Sequence, residues 1–249
     1  MIIVKSQKEI EKIASACRIV AEILENLKFF IAPDITTADI EAYAADQITK
    51  RKAVPAFKGY RGYPASTCTS VNDQVVHGIP SRTTRLKNGD IISIDLGVLK
   101  EGFYGDGAMT LPVGVVATEA QKLMAVTEEA LYTGIRSAVA GNRVSDISAA
   151  IQQHVESNGF SVVRAFVGHG IGRSLHEDPQ IPNFGETGHG PRLRDGMTLA
   201  IEPMVNAGNS DVAILNDGWT AVTADGRLSA HFEHTIVVTK KEPLILTKI

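Results

Sequence analysis

Thiol chemistry has little to work with in this chain. Among 249 residues only Cys17 and Cys68 are cysteines, and they form no C-x-x-C pair. Neither a disulfide framework nor a thiolate zinc site is expected. Long basic runs are also missing, and the net charge is −3, so nucleic acid is not the expected substrate. No stretch approaches the roughly 20 apolar residues of a membrane-spanning helix. The start, MIIVKSQKEI, has a short apolar run but no long signal-type segment and no cleavage site. The expectation is a cytoplasmic protein without membrane association. No linker or low-complexity segment divides the chain. A hydrophobic content of 44% and a charged content of 21% suit a globular chain with a large core.

What is present is a repeat. Residues 86–98 read LKNGDIISIDLGV and residues 193–205 read LRDGMTLAIEPMV. Laid over each other, they place Asp95 on Glu202. The same offset carries Asp39-Ile40 onto Asp146-Ile147. A chain of two similar halves, each with an acid at the same position, can bring those acids together at the axis relating the halves. Paired acids there suggest metal binding or acid/base chemistry.

The elements follow the repeat. Ser6 and Glu9 form a capping-box pattern and predict a helix whose apolar face is Ile10, Ile13, Cys17, Val20, Leu24 and Leu27. After Pro33, Thr36 and Asp39 open a second helix through Ile48. A Gly- and Tyr-rich segment, 59–64, leads into strand-like sequence up to Val76. Gly89-Asp90 marks a turn, followed by a strand from Ile91 to Val98, a hairpin turn at Glu101-Gly102 and a return strand from Phe103 to Leu111. In the second half Thr118 and Gln121 suggest another capping box. Ile147, Ile151 and Val155 mark a fourth helix. Strands are expected from Met197 to Val205 and from His231 to Thr239. Aligning Glu233 with Asp106 pairs the two hairpins, the second being longer around residues 209–227. Helices followed by antiparallel strands, twice, make an α+β plan in one domain, 1–249, with pseudo-symmetric halves of about 1–115 and 116–249.

Asp95, Asp106, Glu202 and Glu233 each interrupt an otherwise apolar strand. Acids are depleted in strands and costly to bury unpaired. One alone reads as an edge charge or an ion-pair partner; four at related positions point to a shared site. Packed together they would repel and raise one another's pKa values. Two divalent cations would balance them. Carboxylate and imidazole donors without thiolate suit Mn, Fe, Co or Zn, and the sequence does not choose among these. His169, between glycines in GHGIGRSLHEDP, is the imidazole candidate; its glycines argue for a loop that allows close backbone approach. His176 follows in the same segment. His77 is held at a turn by Gly78 and Pro80. His231, on the inward face beside Glu233, is a candidate for a pocket role.

The segments GYRGYPASTCTSVNDQVVHGIP, SIDLGVLKEGFYGDGAMT, GHGIGRSLHEDP, AIEPMV and FEHTIVVT, in order and at matching spacing, resemble type I methionine aminopeptidases of the short bacterial form. The resemblance spans nearly the whole chain. It implies a duplicated pita-bread fold with internal pseudo-twofold symmetry. It also implies two divalent metal ions held by Asp95, Asp106, His169, Glu202 and Glu233, with Asp106 and Glu233 bridging. By the same resemblance His77 and His176 contact substrate or the tetrahedral intermediate, and Tyr60, Tyr63, Cys68 and Trp219 wall the methionine pocket. Glu202 is then the candidate for moving a proton between water and the leaving amine. Cys68 reads as a soft pocket wall, since no His-activated thiolate arrangement is evident. The sequence departs from the family pattern at Leu175, preceded by Ser174, where an aromatic residue usually precedes the second His. It departs also at Phe57, a pocket-entrance position that is more often small or Cys. Both bear on pocket shape and leave the ligand set intact.

The resemblance implies removal of the N-terminal methionine from nascent polypeptides when the second residue is small, by a monomer that contacts the ribosome at most transiently. A proline-directed aminopeptidase of the same fold and a metal-free peptide-binding relative are the alternatives. The first usually carries a further N-terminal domain, and the second would show lost ligands.

Overall fold

The computed structural model describes residues 2–248. Among these residues there are four α-helices: α1, Gln7–Phe30; α2, Thr37–Lys50; α3, Thr118–Ser137; and α4, Val144–Ser157. They cover a nine-stranded antiparallel sheet. At its centre Ile91–Lys100 pairs with Phe103–Pro112, which pairs with Glu233–Val237, then Thr198–Ile201 and Val167–Gly170. This is the α+β arrangement expected. The apolar periodicity of α1 is buried as its spacing requires: Ile13, Cys17, Val20, Leu24 and Leu27 are all buried. Leu24 and Leu27 join Ile92, Ile94 and Leu96 in the core of the first half. The core of the second half packs Leu123, Ile147 and Ile151 against Leu199, Ile201 and Ile236. Truncating such a side chain to Ala costs about 2–5 kcal/mol.

Local hydrogen bonds repeat between the halves at the offset seen in sequence. The Thr36 N–H donates to Asp39 Oδ2 (2.8 Å), and the Arg143 N–H donates to Asp146 Oδ2 (2.7 Å). The Leu86 N–H donates to the Ile35 carbonyl (2.9 Å), and the Leu193 N–H to the Asn142 carbonyl (2.8 Å). Each acid satisfies an N–H at a helix start that has no partner within the helix. The pseudo-twofold axis passes where the halves meet, between Ala108 and Glu233, which are directly paired across the central strands.

Four local expectations change. First, α3 starts at Thr118 with Ala117 as its cap, so Thr118 lies one residue too far inside to cap; Gln121 Nε2 donates instead to the Val116 carbonyl (3.0 Å). Second, the strand expected over Met197–Val205 is split into Thr198–Ile201 and Met204–Asn206, with Glu202-Pro203 between them. Pro203 has no N–H to give the ladder. The partner expected over His231–Thr239 likewise splits at Phe232 into Ser229–His231 and Glu233–Val237. Third, the two hairpins align differently. Gly97 pairs with Asp106, and its repeat equivalent Met204 pairs with His231. The counterpart of Asp106 is therefore His231, and that of Glu233 is Ala108. Fourth, His169 lies in a short strand, Val167–Gly170, rather than a loop. Its glycines are needed for close packing: a Cβ on Gly168 would lie 2.5 Å from the Ala200 carbonyl oxygen, and one on Gly170 would lie 2.2 Å from that of Asp178.

Both ends of the chain cross to the opposite half. The Lys5 N–H donates to the Gly196 carbonyl, and its ammonium forms a 2.5 Å ion pair with Glu177, with both side chains buried. Near the other end, Leu244–Ile245 adds to Glu233–Val237, and Leu246 packs with Ile13, Cys17 and Phe103.

Candidate metal centre

Strand register explains why distant residues converge. Residues directly opposite in an antiparallel ladder share a face. Cys68 is opposite Asp95, Asp95 is opposite Ala108, and Ala108 is opposite Glu233. Asp106 lies two residues from Ala108, so it is on the same face. His169 is opposite Ala200, two residues before Glu202. One face of the sheet thus collects Cys68, Asp95, Asp106, Glu202, Glu233 and His169. They floor a cavity of about 340 Å³, a size suited to a small ligand or one side chain. Tyr60, Tyr63, His77, His176 and Trp219 line it too, so these candidate residues meet in one place, whereas His231, the candidate for a pocket role, is not part of the lining. Phe57 and Leu175 also line it.

The acids are in an unusual state. Asp106 and Glu233 are almost fully buried. Burial, then the charge of its neighbours, holds each of Asp95, Asp106 and Glu233 well above the ordinary carboxylate range. Burial raises Glu202 to about 8. Asp95 Oδ1 and Glu233 Oε1 are buried and accept no hydrogen bond. Buried oxygens without partners are rare and costly.

These unsatisfied oxygens fit a cation. One donor atom each from Asp106, His169 and Glu233 lie within 4.8 Å of one another, and the same holds for Glu202, His231 and Glu233. His169 Nδ1 lies 2.9 Å from the Gly170 carbonyl, which takes its N–H and leaves the Nε2 lone pair toward the acids. Burial lowers His169 to about 4, so the ring is neutral, as a ligand must be. No thiolate competes. Burial first, then Asp95, holds the Cys68 thiol well above its usual range. The donor set is the hard oxygen and imidazole one that suits divalent ions.

The cavity wall is built from aromatic rings. The Tyr63 hydroxyl lies 2.9 Å from the Gly78 carbonyl, and its ring meets Trp219 edge-on at 5.1 Å between centroids. His77 has a positive φ of 61° at the end of strand Gln74–Val76, and its ring stands edge-on to Phe166. His176 Nδ1 lies 2.8 Å from the Tyr60 hydroxyl, and its ring is 4.2 Å from that of His169. Burial, reinforced by His169, lowers His176 to about 3. Three features escaped the sequence reading: Phe166 against His77, Met204 in the cavity wall, and the Tyr60 hydroxyl behind His176. Phe166 flanks a recognised motif and Met204 lies within one, AIEPMV, whereas nothing local links Tyr60 to His176.

Residues 11–240 match the model of metallopeptidase family M24. The chain belongs to this family of metallopeptidases. A methionine aminopeptidase of Clostridium perfringens is 54% identical over all of both chains. The crystal structure of a methionine aminopeptidase from Thermotoga maritima superimposes with a TM-score of 0.99 at 49% identity, covering all of both chains. A prolidase from Pyrococcus horikoshii reaches 0.80 at 25% identity, covering 99% of this chain and 63% of that one. The metallopeptidase has the duplicated pita-bread fold and depends on divalent metal ions. No described helix is long and apolar enough to cross a membrane.

Proposed function

We propose that Asp95, Asp106, His169, Glu202 and Glu233 together hold two divalent metal ions, and that the cavity above them receives the N-terminal methionine of a polypeptide. The enzyme is a methionine aminopeptidase that acts on nascent chains whose second residue is small. The observation that carries this reading is the set of buried acids with unsatisfied oxygens beneath an apolar, aromatic-walled cavity. When bound, the ions supply positive charge to polarise the first peptide carbonyl and to make water nucleophilic near neutral pH.

The chain's own groups do the rest. Glu202, which faces the same cavity at the end of its strand, is the group placed to take a proton from water and return it to the leaving amine. His176 is neutral. With its Nδ1 accepting from the Tyr60 hydroxyl, Nε2 carries the proton and donates to the carbonyl oxygen as charge grows there. His77, braced by Phe166, positions the peptide. Tyr63, Cys68 and Trp219 wall the methionine side chain, and Phe57 and Leu175 set how far it enters. Crowding beside the scissile bond rejects a bulky second residue. The partner is the free N-terminus of a nascent polypeptide. A monomeric, cytoplasmic enzyme with transient ribosome contact through basic surface residues fits this role, and a domain spanning both halves is part of the same reading.

The test uses metal-stripped protein with Met-Ala-Ser, Leu-Ala-Ser and Ala-Pro-Ser peptides, supplied separately with Mn, Fe, Co or Zn and read by mass spectrometry. Metal-dependent release of methionine, with the other peptides largely spared, is expected. Cleavage of Ala-Pro-Ser would move the enzyme to the proline-directed branch. No cleavage with any metal would overturn the reading.

A further inference from the structure

We propose that His231 is a positioning residue of the metal centre, whose Nε2–H holds one oxygen of Glu202 while the other faces the ions. This rests on the metal-centre reading above. Three observations lead to it. His231 is 1% exposed, and its Nε2 is among the few buried polar atoms without a hydrogen bond. That atom lies 3.4 Å from Glu202 Oε2, while His169 Nε2 lies 3.6 Å from Glu202 Oε1. Strand register puts His231 in the place that Asp106 occupies in the first half, so its side chain projects toward the same centre.

The two imidazoles bracket one carboxylate, and they divide the work. The His169 proton is committed to the Gly170 carbonyl through Nδ1, so its Nε2 is an electron-pair donor. It offers nothing to Glu202. His231 Nε2 has no other hydrogen-bond partner, and an N–H is the only thing it can usefully present to a carboxylate oxygen. Its backbone is pinned: the His231 N–H donates to Thr110 Oγ1 (2.9 Å), and that hydroxyl donates to the His231 carbonyl (2.8 Å). A rigidly mounted donor beside a ligand carboxylate fixes which of its oxygens reaches the metal, and loss of such a partner typically costs about 10–100-fold in metal affinity. Glu202 needs this support more than the other acids do, because it sits at the break beside Pro203, outside the strand ladder.

The experiment titrates Mn²⁺ into metal-free protein by calorimetry, for wild type, His231→Leu and His231→Gln. Leucine fills the space without a donor; glutamine restores an N–H. His231→Leu is expected to weaken Mn²⁺ binding about 10–100-fold and to lower kcat with little change in KM, while His231→Gln recovers most of both. Melting of each metal-free variant checks folding, and His231→Met replaces the leucine variant if that one does not fold. Unchanged Mn²⁺ affinity in a folded donorless variant would overturn the proposal. So would a glutamine variant no better than leucine, which would make His231 a ligand or a packing group. Wild-type protein that binds no Mn²⁺ would instead overturn the metal-centre reading itself.

Discussion

In the first half the acid-bearing strands run unbroken, Ile91–Lys100 against Phe103–Pro112. In the second half their equivalents break at Glu202-Pro203 and at Phe232, and the outer pieces leave for a three-stranded sheet with Ser161–Val162. The difference separates two kinds of carboxylate. Asp95 is held by ladder pairings on both sides, and Asp106 by the ladder on one side and the Thr235 hydroxyl on the other. Glu202 sits where the ladder stops, with an imidazole on either side of its carboxylate. In the function proposed above, the acid at the break also moves a proton, while the acids inside the ladder only hold cations. Duplication supplied two acids at one position, and Pro203 made them unlike.

The largest expected effect tests that division. Glu202→Gln should retain measurable Mn²⁺ binding yet lose about 10²–10⁴-fold in kcat, the usual contribution of a general acid–base group. Asp106→Asn should lose the metal and turnover together. Calorimetry beside peptide assays reads both, and equal loss of binding in the two variants would erase the distinction between the halves.

Next in size is a pH effect on the metal-free protein. The four acids have folded-state pKa values above their free values, with Glu202 at about 8, so the fold holds protons that the unfolded chain releases. Stability therefore falls as pH rises. The site histidines, lowered to about 3 or 4, pull the other way, but only below their free value of 6.5. Between pH 6.5 and 8 the acids act alone. The melting temperature of metal-free protein should fall across that window, and saturating Mn²⁺ should abolish the fall. A flat profile without metal would mean that the acids are not crowded as described.

A smaller effect should come from Tyr60→Phe, which removes the hydroxyl behind His176. About a tenfold loss in kcat with KM nearly unchanged is expected, equivalent to about one hydrogen bond. An unchanged kcat would show that His176 needs no such orientation. The smallest effect concerns what the halves share. Asp39→Ala and Asp146→Ala should each lower the denaturant midpoint slightly and by similar amounts, since each removes the reciprocal half of a capping box. Values differing by more than twofold would mean that the repeated caps are alike only in shape.

Much of this was readable in advance for a physical reason. An acid inside an apolar strand is conspicuous, and so is a histidine between glycines. Asp95, Asp106, Glu202 and Glu233 carry meaning as a set at related positions rather than singly, and His169, His77 and His176 follow from their glycine- and proline-flanked motifs. What was hidden depends on register and on distance along the chain. Local sequence does not reveal that Met204 pairs with His231, because that pairing depends on how the segment between the strands closes. Nor does it reveal the contact of His176 with Tyr60, which joins a strand-end loop to a turn far upstream. The cap misassigned to Thr118 shows the limit of pattern alone: the motif was present, but the helix began one residue earlier than the pattern required.

The crossing of the chain ends has a consequence for how the duplication holds together. Lys5 leaves the first half to pair with Glu177 in the second, and Leu246 returns from the second to pack beside Ile13 and Phe103. Each half thus grips the other through a segment remote from the connection before α3, so that connection is not all that keeps them joined. Severed at that connection, each fragment would keep a socket shaped for the other's tail. Two pieces made together in one cell should reassemble into a working enzyme, whereas either made alone should be left with an open seam.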